Sequence, residues 1–297
     1  MKNKMSNQIN LILFAAFLAT SFQGCKKDAE ETPVPPTYNL VFKYHFDSTQ
    51  VRLNNFGQPE GIPAGHGAQS PKFNLMSSHY IELAPDSLTL LGNGQVLYRA
   101  PETSAGGSLA IDFAQSVNAG EGQSFFTIPL KSMTAGTYQW LRISLAYQNY
   151  DINFRASGFD LTGTLASFIG FNTYITSFKP KDSSVVVNGN RLQGYWAFEI
   201  DTLGFTSVTT GQAPATTVPN PLSATSPVPA GSCVVTGKFD QPLIITGNET
   251  KDIVINVSLS VNNSFEWIEA VGDNIFEPPA DVVVDMGVRG VIPYVVY

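Results

Sequence analysis

Apolar and polar residues alternate along much of this chain, in short runs separated by Gly, Pro and Asn. Successive side chains of a strand point to opposite faces, so a period of two marks a half-buried β-strand. NLVFKYHFD (39–47) places Val41, Lys43, His45 and Asp47 on one face and Phe42, Tyr44 and Phe46 on the other. TYQWLRISLAYQNYDINF (137–154) is long enough for one extended strand. In it Leu141, Ile143, Leu145 and Tyr147 line one side, and Trp140, Arg142, Ser144 and Gln148 line the other. DIVINVSLSV (252–261) turns Ile253, Ile255, Val257, Leu259 and Val261 inward, with polar partners between them. No stretch beyond the N-terminal apolar segment carries a helical period. Such one-sided strands predict an all-β fold, an antiparallel β-sandwich in which each sheet keeps one face on the core and one in water.

The turn chemistry agrees. VNGN (187–190) contains Asn-Gly, which adopts left-handed torsions at low cost and predicts a hairpin. LLGNGQVLY, around Gly92 to Gly94, predicts a second turn. GQAPATTVPNPLSATSPVPAG (211–231) is a long Pro/Thr-rich loop, of the kind that is functional, disordered or a boundary. The strands on both sides share one composition, so one sandwich over 38–297 is the favoured organisation. A two-lobed version would divide it within 180–230. No internal repeat is visible.

The N-terminus has a different character. Lys2 and Lys4 precede LILFAAFLA (11–19), an uncharged apolar run of nine residues. A membrane-spanning helix needs about 20, whereas a positive start and a short apolar core mark a secretory signal. Gly24 then Cys25 close the segment, and it resembles a bacterial lipoprotein signal peptide over 1–24. That resemblance implies cleavage before Cys25 and acylation of its sulfur and nitrogen, palmitate being a typical chain. Phe22 and Gln23 depart from the usual Leu and Ala or Ser. Lys26, Lys27, Asp28, Glu30 and Glu31 resemble the signal that sends lipoproteins of Bacteroidota to the outer face of the outer membrane. Residues 25–37 read as a tether, because they are acidic and Pro-rich and have no apolar face to bury.

Composition narrows the partners. The chain carries 17 Lys and Arg against 24 Asp and Glu, a net charge of −7 at pH 7. Loss of Lys2 and Lys4 with the signal makes the mature chain more acidic still. An acidic surface repels phosphate backbones, so the sequence predicts no nucleic-acid partner. Of the two cysteines, lipidation of Cys25 would leave only Cys233, so no internal disulfide can form. Cys233 lies in GSCVVTG beside two valines, which predicts a buried, inert thiol.

Candidate chemistry centres on the three histidines, His45, His66 and His79, all before residue 80. Neutral imidazole is a common transition-metal ligand, and three of them with an open position suit copper or zinc. A strand (His45), a Gly-rich loop (His66) and a second strand (His79) can converge across one sheet edge, although the spacing matches no zinc-finger pattern. Glu82, three residues beyond His79, joins them only if a bulge intervenes. MSSHYIEL (76–83) and TAGTYQWLRISL (134–145) are similar, in order and motif, to landmarks of the copper-binding MbnP-like domain of bacterial lipoproteins. The similarity covers about the first half of the mature chain. It implies a β-sandwich and copper binding, without supplying ligands residue by residue. NRLQGYWAFEI (191–201) and VNNSFEWIEA (261–270) resemble uncharacterised Bacteroidota lipoproteins.

Other constellations point to structure. Glu269, Asp273, Glu277, Asp281 and Asp285 fail the EF-hand spacing and read as a solvated acidic turn, with Asp285 and Arg289 placed to pair. Trp140, Trp196 and Trp267 lie in apolar runs and read as core or half-core rather than sugar platforms. No GxSxG elbow or phosphate loop is present, so the sequence predicts a protein that is not an enzyme. The reading it favours is a lipid-anchored, surface-exposed binding protein holding copper or zinc at His45, His66 and His79. The alternative is a glycan-binding or adhesion module without metal.

Overall fold

In the computed structural model the described residues are 37–54, 57–202, 204–213 and 226–297. Cys25, the signal, the tether before Thr37 and residues 214–225 of the Pro/Thr-rich loop lie outside them. The strands are β1 (Asn39–Asp47), β2 (His66–Gln69), β3 (Lys72–Ala84), β4 (Gln95–Arg99), β5 (Glu102–Thr103), β6 (Ala110–Asp112), β7 (Ser124–Pro129), β8 (Gly136–Ala156) and β9 (Phe159–Phe168). They continue as β10 (Asn172–Phe178), β11 (Val185–Leu192), β12 (Tyr195–Thr202), β13 (Phe205–Gln212), β14 (Cys233–Ile245), β15 (Ile253–Ser260), β16 (Phe265–Ile268), β17 (Val282–Asp285) and β18 (Val291–Val296). Two short 3-10 turns interrupt them, and no α-helix occurs among the described residues. Thr37–Tyr297 is a compact unit.

The fold is an all-β sandwich of several sheets. A seven-stranded sheet runs β13-β12-β9-β8-β3-β4, with β14 also paired to β8. A four-stranded sheet, β18-β15-β1-β7, contributes to one buried cluster with it: Phe42, Tyr44, Ile255 and Val257 meet Ile81, Leu141, Ile143 and Leu145. The expected faces of 39–47 and 252–261 hold, since Leu40, Phe42 and Tyr44 and all five inward residues of the second run are buried. These two strands pair in parallel, Leu40 beside Ile253 through Asp47 beside Ser260, an exception to the antiparallel plan.

A second four-stranded sheet, β11-β10-β6-β5, covers the other face of the seven-stranded one. Ile175 and Phe178 of β10 pack with Tyr147, Phe168 and Tyr195, and Ile111 of β6 packs with Ala146. The middle of the central sheet, around β8, β9 and β12, is therefore covered on both sides where the sequence predicted one wet face, while β4, β13 and β14 keep exposed positions.

β8 is a single long strand of 21 residues, as expected, but its faces switch midway. Opposite Ser77 and Ser78 the register passes from Leu145 to Tyr147, leaving Ala146 as a bulge. Before it β8 pairs with β14, after it with β9. The Ala146 carbonyl accepts from the N–H groups of Ile169 and Gly170. An extra residue inverts every later side chain. Leu141, Ile143 and Leu145 stay in the main core, but Tyr147 joins the second cluster. Gln148 turns back inward with Tyr150, and both donate to the Met286 carbonyl.

Asn188-Gly189 is a second departure. It forms no hairpin; Asn188 takes φ 49° inside β11, where the register against β10 slips between Ile175 and Ser177. The same left-handed torsion that would close a turn here builds a bulge. The turn around Gly92, at φ 95°, does precede β4.

Candidate functional site

The three histidines sit in three different sheets, and each takes a different carboxylate. On β1, His45 is exposed and its Nδ1 lies 2.5 Å from Glu121 Oε1. On β2, His66 Nδ1 lies 2.5 Å from Glu266 Oε1. On β3, His79 is fully buried and its Nε2 lies 2.9 Å from Glu102 Oε1. The shared sheet edge expected for the three histidines is not formed, since β1, β2 and β3 belong to three separate sheets. Among the described residues no group of three or more His, Cys, Asp and Glu side chains is arranged to hold a metal ion. Glu82 is occupied elsewhere, accepting from the N–H groups of Gly92 and Gly94 and facing Arg142 at 3.5 Å. We expect wild type and the triple His45→Ala, His66→Ala, His79→Ala variant to take up Cu(II) and Zn(II) equally. A stoichiometric site in calorimetry that only the wild type possesses would restore a shared centre.

A carboxylate can only accept, so His79 donates from Nε2 to Glu102. Burial holds its imidazole below the ordinary pKa, against the pull of the Glu102 hydrogen bond and charge and with the push of Arg99. Below about pH 6.5 the unfolded chain then binds a proton that the folded chain refuses, so stability is lost as pH falls. We expect His79→Gln to flatten the decline of the urea midpoint between about pH 6.5 and 5. Parallel declines in variant and wild type would place the titration elsewhere.

The cysteine, expected to be buried, is only partly so, and the acids depart from the solvated turn expected of them, since Asp281 is buried, although Asp285 and Arg289 do pair. Burial, with Asp285 nearby, pushes the Cys233 thiol up to about 12, which disfavours the nucleophilic thiolate. Of the 266–290 acids, Asp281 caps the N–H groups of Ala270 and Glu277, and Asp285 meets Arg289 at 2.7 Å. Trp267 is core, and Trp140 and Trp196 are half-buried.

A cleft of about 350 Å³ lies where β8, beyond the end of its pairing with β3, faces β2 and β16. Local chemistry builds each wall. Ser157 and Gly158 both take positive φ, 52° and 78°, closing the two-residue turn between β8 and β9. That turn sets Arg155 opposite Asp160, with Nε 2.8 Å from Oδ1. Asp273 and Glu277 approach the same guanidinium at 3.4 and 3.7 Å. The Asp160 hydrogen bond, aided by these charges, raises the Arg155 pKa.

Gln69 pairs with the Asn153 backbone in both directions, at 2.8 and 2.9 Å, and so extends β2 alongside β8. Gly67 faces Trp267, and a Cβ there would sit 2.5 Å from the indole. Phe154, Trp267 and Phe276 seal the floor and are themselves buried. Asn153 Oδ1 accepts from Thr162, and Asn274 Oδ1 accepts from the Ala68 N–H. Among the described residues the amide nitrogens of Asn153 and Asn274 and Arg155 Nη2 have no hydrogen-bond partner. The lining of the cleft thus combines side chains bearing unpartnered N–H groups, and the Asp160 carboxylate, with an apolar floor. Sequence reading missed it. The one signal was Arg-Ala-Ser-Gly-Phe-Asp, 155–160, a Ser-Gly turn with opposite charges symmetrically about it.

No family model, curated protein or solved structure matches this chain.

Proposed function

We propose that this chain is a lipid-anchored binding module of the outer membrane, facing outward, that holds a glycan in the cleft between β8 and β2/β16. The observation that carries the reading is the convergence of Asn153, Asn274 and Arg155 donors with the Asp160 carboxylate over an aromatic floor. Small-molecule sites combine a largely apolar concavity with a few placed polar groups in this way. Sugar hydroxyls both donate and accept, and here they would find the two kinds of partner side by side. The buried rings close the floor without offering an open stacking face, so selectivity would come from hydrogen bonds. Binding needs no nucleophile and no metal, in keeping with three histidines that each have a carboxylate of their own. The anchor rests on the sequence around Cys25.

Two measurements test the reading. A glycan array probed with the purified chain should give saccharide hits that Asn153→Ala and Arg155→Ala both weaken; an array without saccharide hits would refute glycan binding. In cells, Cys25→Ser should move the protein out of the membrane fraction. Continued pelleting of that variant with outer membrane would refute the lipid anchor.

A further inference from the structure

On the glycan reading above, we propose that the ligand is a neutral oligosaccharide of at least two sugars, running from the aromatic-floored cleft across Asp160 into a second depression. This depression, about 300 Å³, is lined by Asp151, Thr162, Thr164, Lys181, Glu199 and Asp201. Asp160 lines both concavities. Its side chain is 77% exposed while held by Arg155, so it stands as a ridge that a bound chain would cross. A ligand confined to one side would leave the concavity on the other side of Asp160 unused.

Charge decides against an anionic ligand. In the first cleft Arg155 is already ringed by Asp160, Asp273 and Glu277. In the second, the Lys181 ammonium stands alone against Asp151, Glu199 and Asp201, 3.9 Å from the Asp201 carboxylate. A phosphate, sulfate or uronate entering here would meet net negative potential. A cation is not called for either, because the carboxylates are engaged. Asp151 accepts from Thr164 at 2.7 Å and from Asn74 at 3.1 Å. Glu199 accepts from the N–H groups of 181–183, and Asp201 accepts from Thr206 at 3.2 Å. What remains open is acceptor capacity on Asp151, Asp201 and the Thr162 and Thr164 oxygens, whose own protons are given to Asn153 and Asp151, with the Lys181 ammonium as donor; uncharged sugar hydroxyls can give to the first and take from the second.

The test uses the purified full-length chain in a zwitterionic detergent without a sugar headgroup. Neutral gluco-, manno-, galacto- and xylo-oligosaccharides, from mono- to tetrasaccharide, are titrated beside oligogalacturonate and chitosan oligomers of equal length. We expect one neutral series to bind, with affinity rising about tenfold or more from mono- to trisaccharide as hydrogen bonds on the far side of Asp160 are added. Asn153→Ala should weaken every length, whereas Lys181→Met, at a half-exposed position, should weaken only the longer ones. Affinity independent of length, or preference for the uronate or chitosan series, would overturn the neutral-oligosaccharide proposal and leave glycan binding standing. Binding of no saccharide at all would overturn both.

Discussion

Replacing Glu266 by Ala should lower stability by about 3–5 kcal/mol, the cost typical of stripping one partner from a buried ion pair. Glu266 lies on β16 with its side chain 5% exposed, and Oε2 receives Nη2 of Arg52, itself 5% exposed. The same oxygen takes Arg289 Nη2 at 3.1 Å, and Oε1 takes His66 at 2.5 Å. Two guanidiniums would be left in a dry site with Asp285, 2.7 Å from Arg289, and the half-exposed Glu60, 3.9 Å from Arg52, as the remaining acids. Burial already holds the Arg52 pKa down, and the charge of Arg289 adds to this, while Glu266 works in the opposite sense. The three elements that meet here are far apart in sequence. Arg52 follows β1 and also donates to the Gly61 carbonyl at 3.0 Å, and Arg289 joins β17 to β18. Losing Glu266 would loosen all three contacts at once. The thermal midpoint should fall by on the order of 10 °C for a domain of this size. A change within about 2 °C would mean that desolvation cancels the attraction and the cluster adds no net stability. In that case Arg52→Met, Glu266→Leu and Arg289→Met together should match or exceed the wild type.

The parts of this fold that could be read from sequence are those governed by strand period alone. β1 and β15 keep strict alternation, so their buried faces follow from the residues. β8 also alternates, yet its second half faces the other way because Ala146 is an inserted residue, and LAYQNY reads equally well in either register. Asn188-Gly189 carries the right torsion for a turn, and only the partner strand, β10, makes it a bulge. His45 and His79 were correctly placed on strands, whereas His66, read as part of a Gly-rich loop, opens β2. Their partners were not legible, since Glu121, Glu266 and Glu102 lie 76, 200 and 23 residues away. The cleft has the same character: Gln69, Asn153 and Asn274 meet only because β2, β8 and the segment after β16 are folded together.

Glu199→Ala should cost about 3 kcal/mol and remove part of the protein's resistance to acid. Hydrogen bonds to a charged acceptor are worth roughly 1.5–3 kcal/mol each and do not add fully when they share one acceptor. Glu199 is fully buried on β12. It accepts from the N–H groups of Lys181, Asp182 and Ser183 at 2.9, 3.2 and 3.0 Å, and from Ser183 Oγ at 2.7 Å. One carboxylate thereby ties the β10–β11 connection of the covering sheet to the central sheet. Burial by itself would raise its pKa; the Ser183 hydroxyl and the backbone N–H groups outweigh that and hold it below the ordinary value of 4.5. The folded carboxyl thus titrates below the unfolded one. Its contribution is complete above about pH 4.5 and is lost as pH falls through the folded value. Glu199→Gln keeps an acceptor oxygen but no charge, so it should unfold at lower urea than wild type at pH 7 and lie closer to it at about pH 3. Urea midpoints of the two proteins at both pH values give the comparison. A constant gap would mean that the Glu199 charge is not what holds 181–183. Convergence would establish the clamp that also keeps Lys181 at the wall of the second depression.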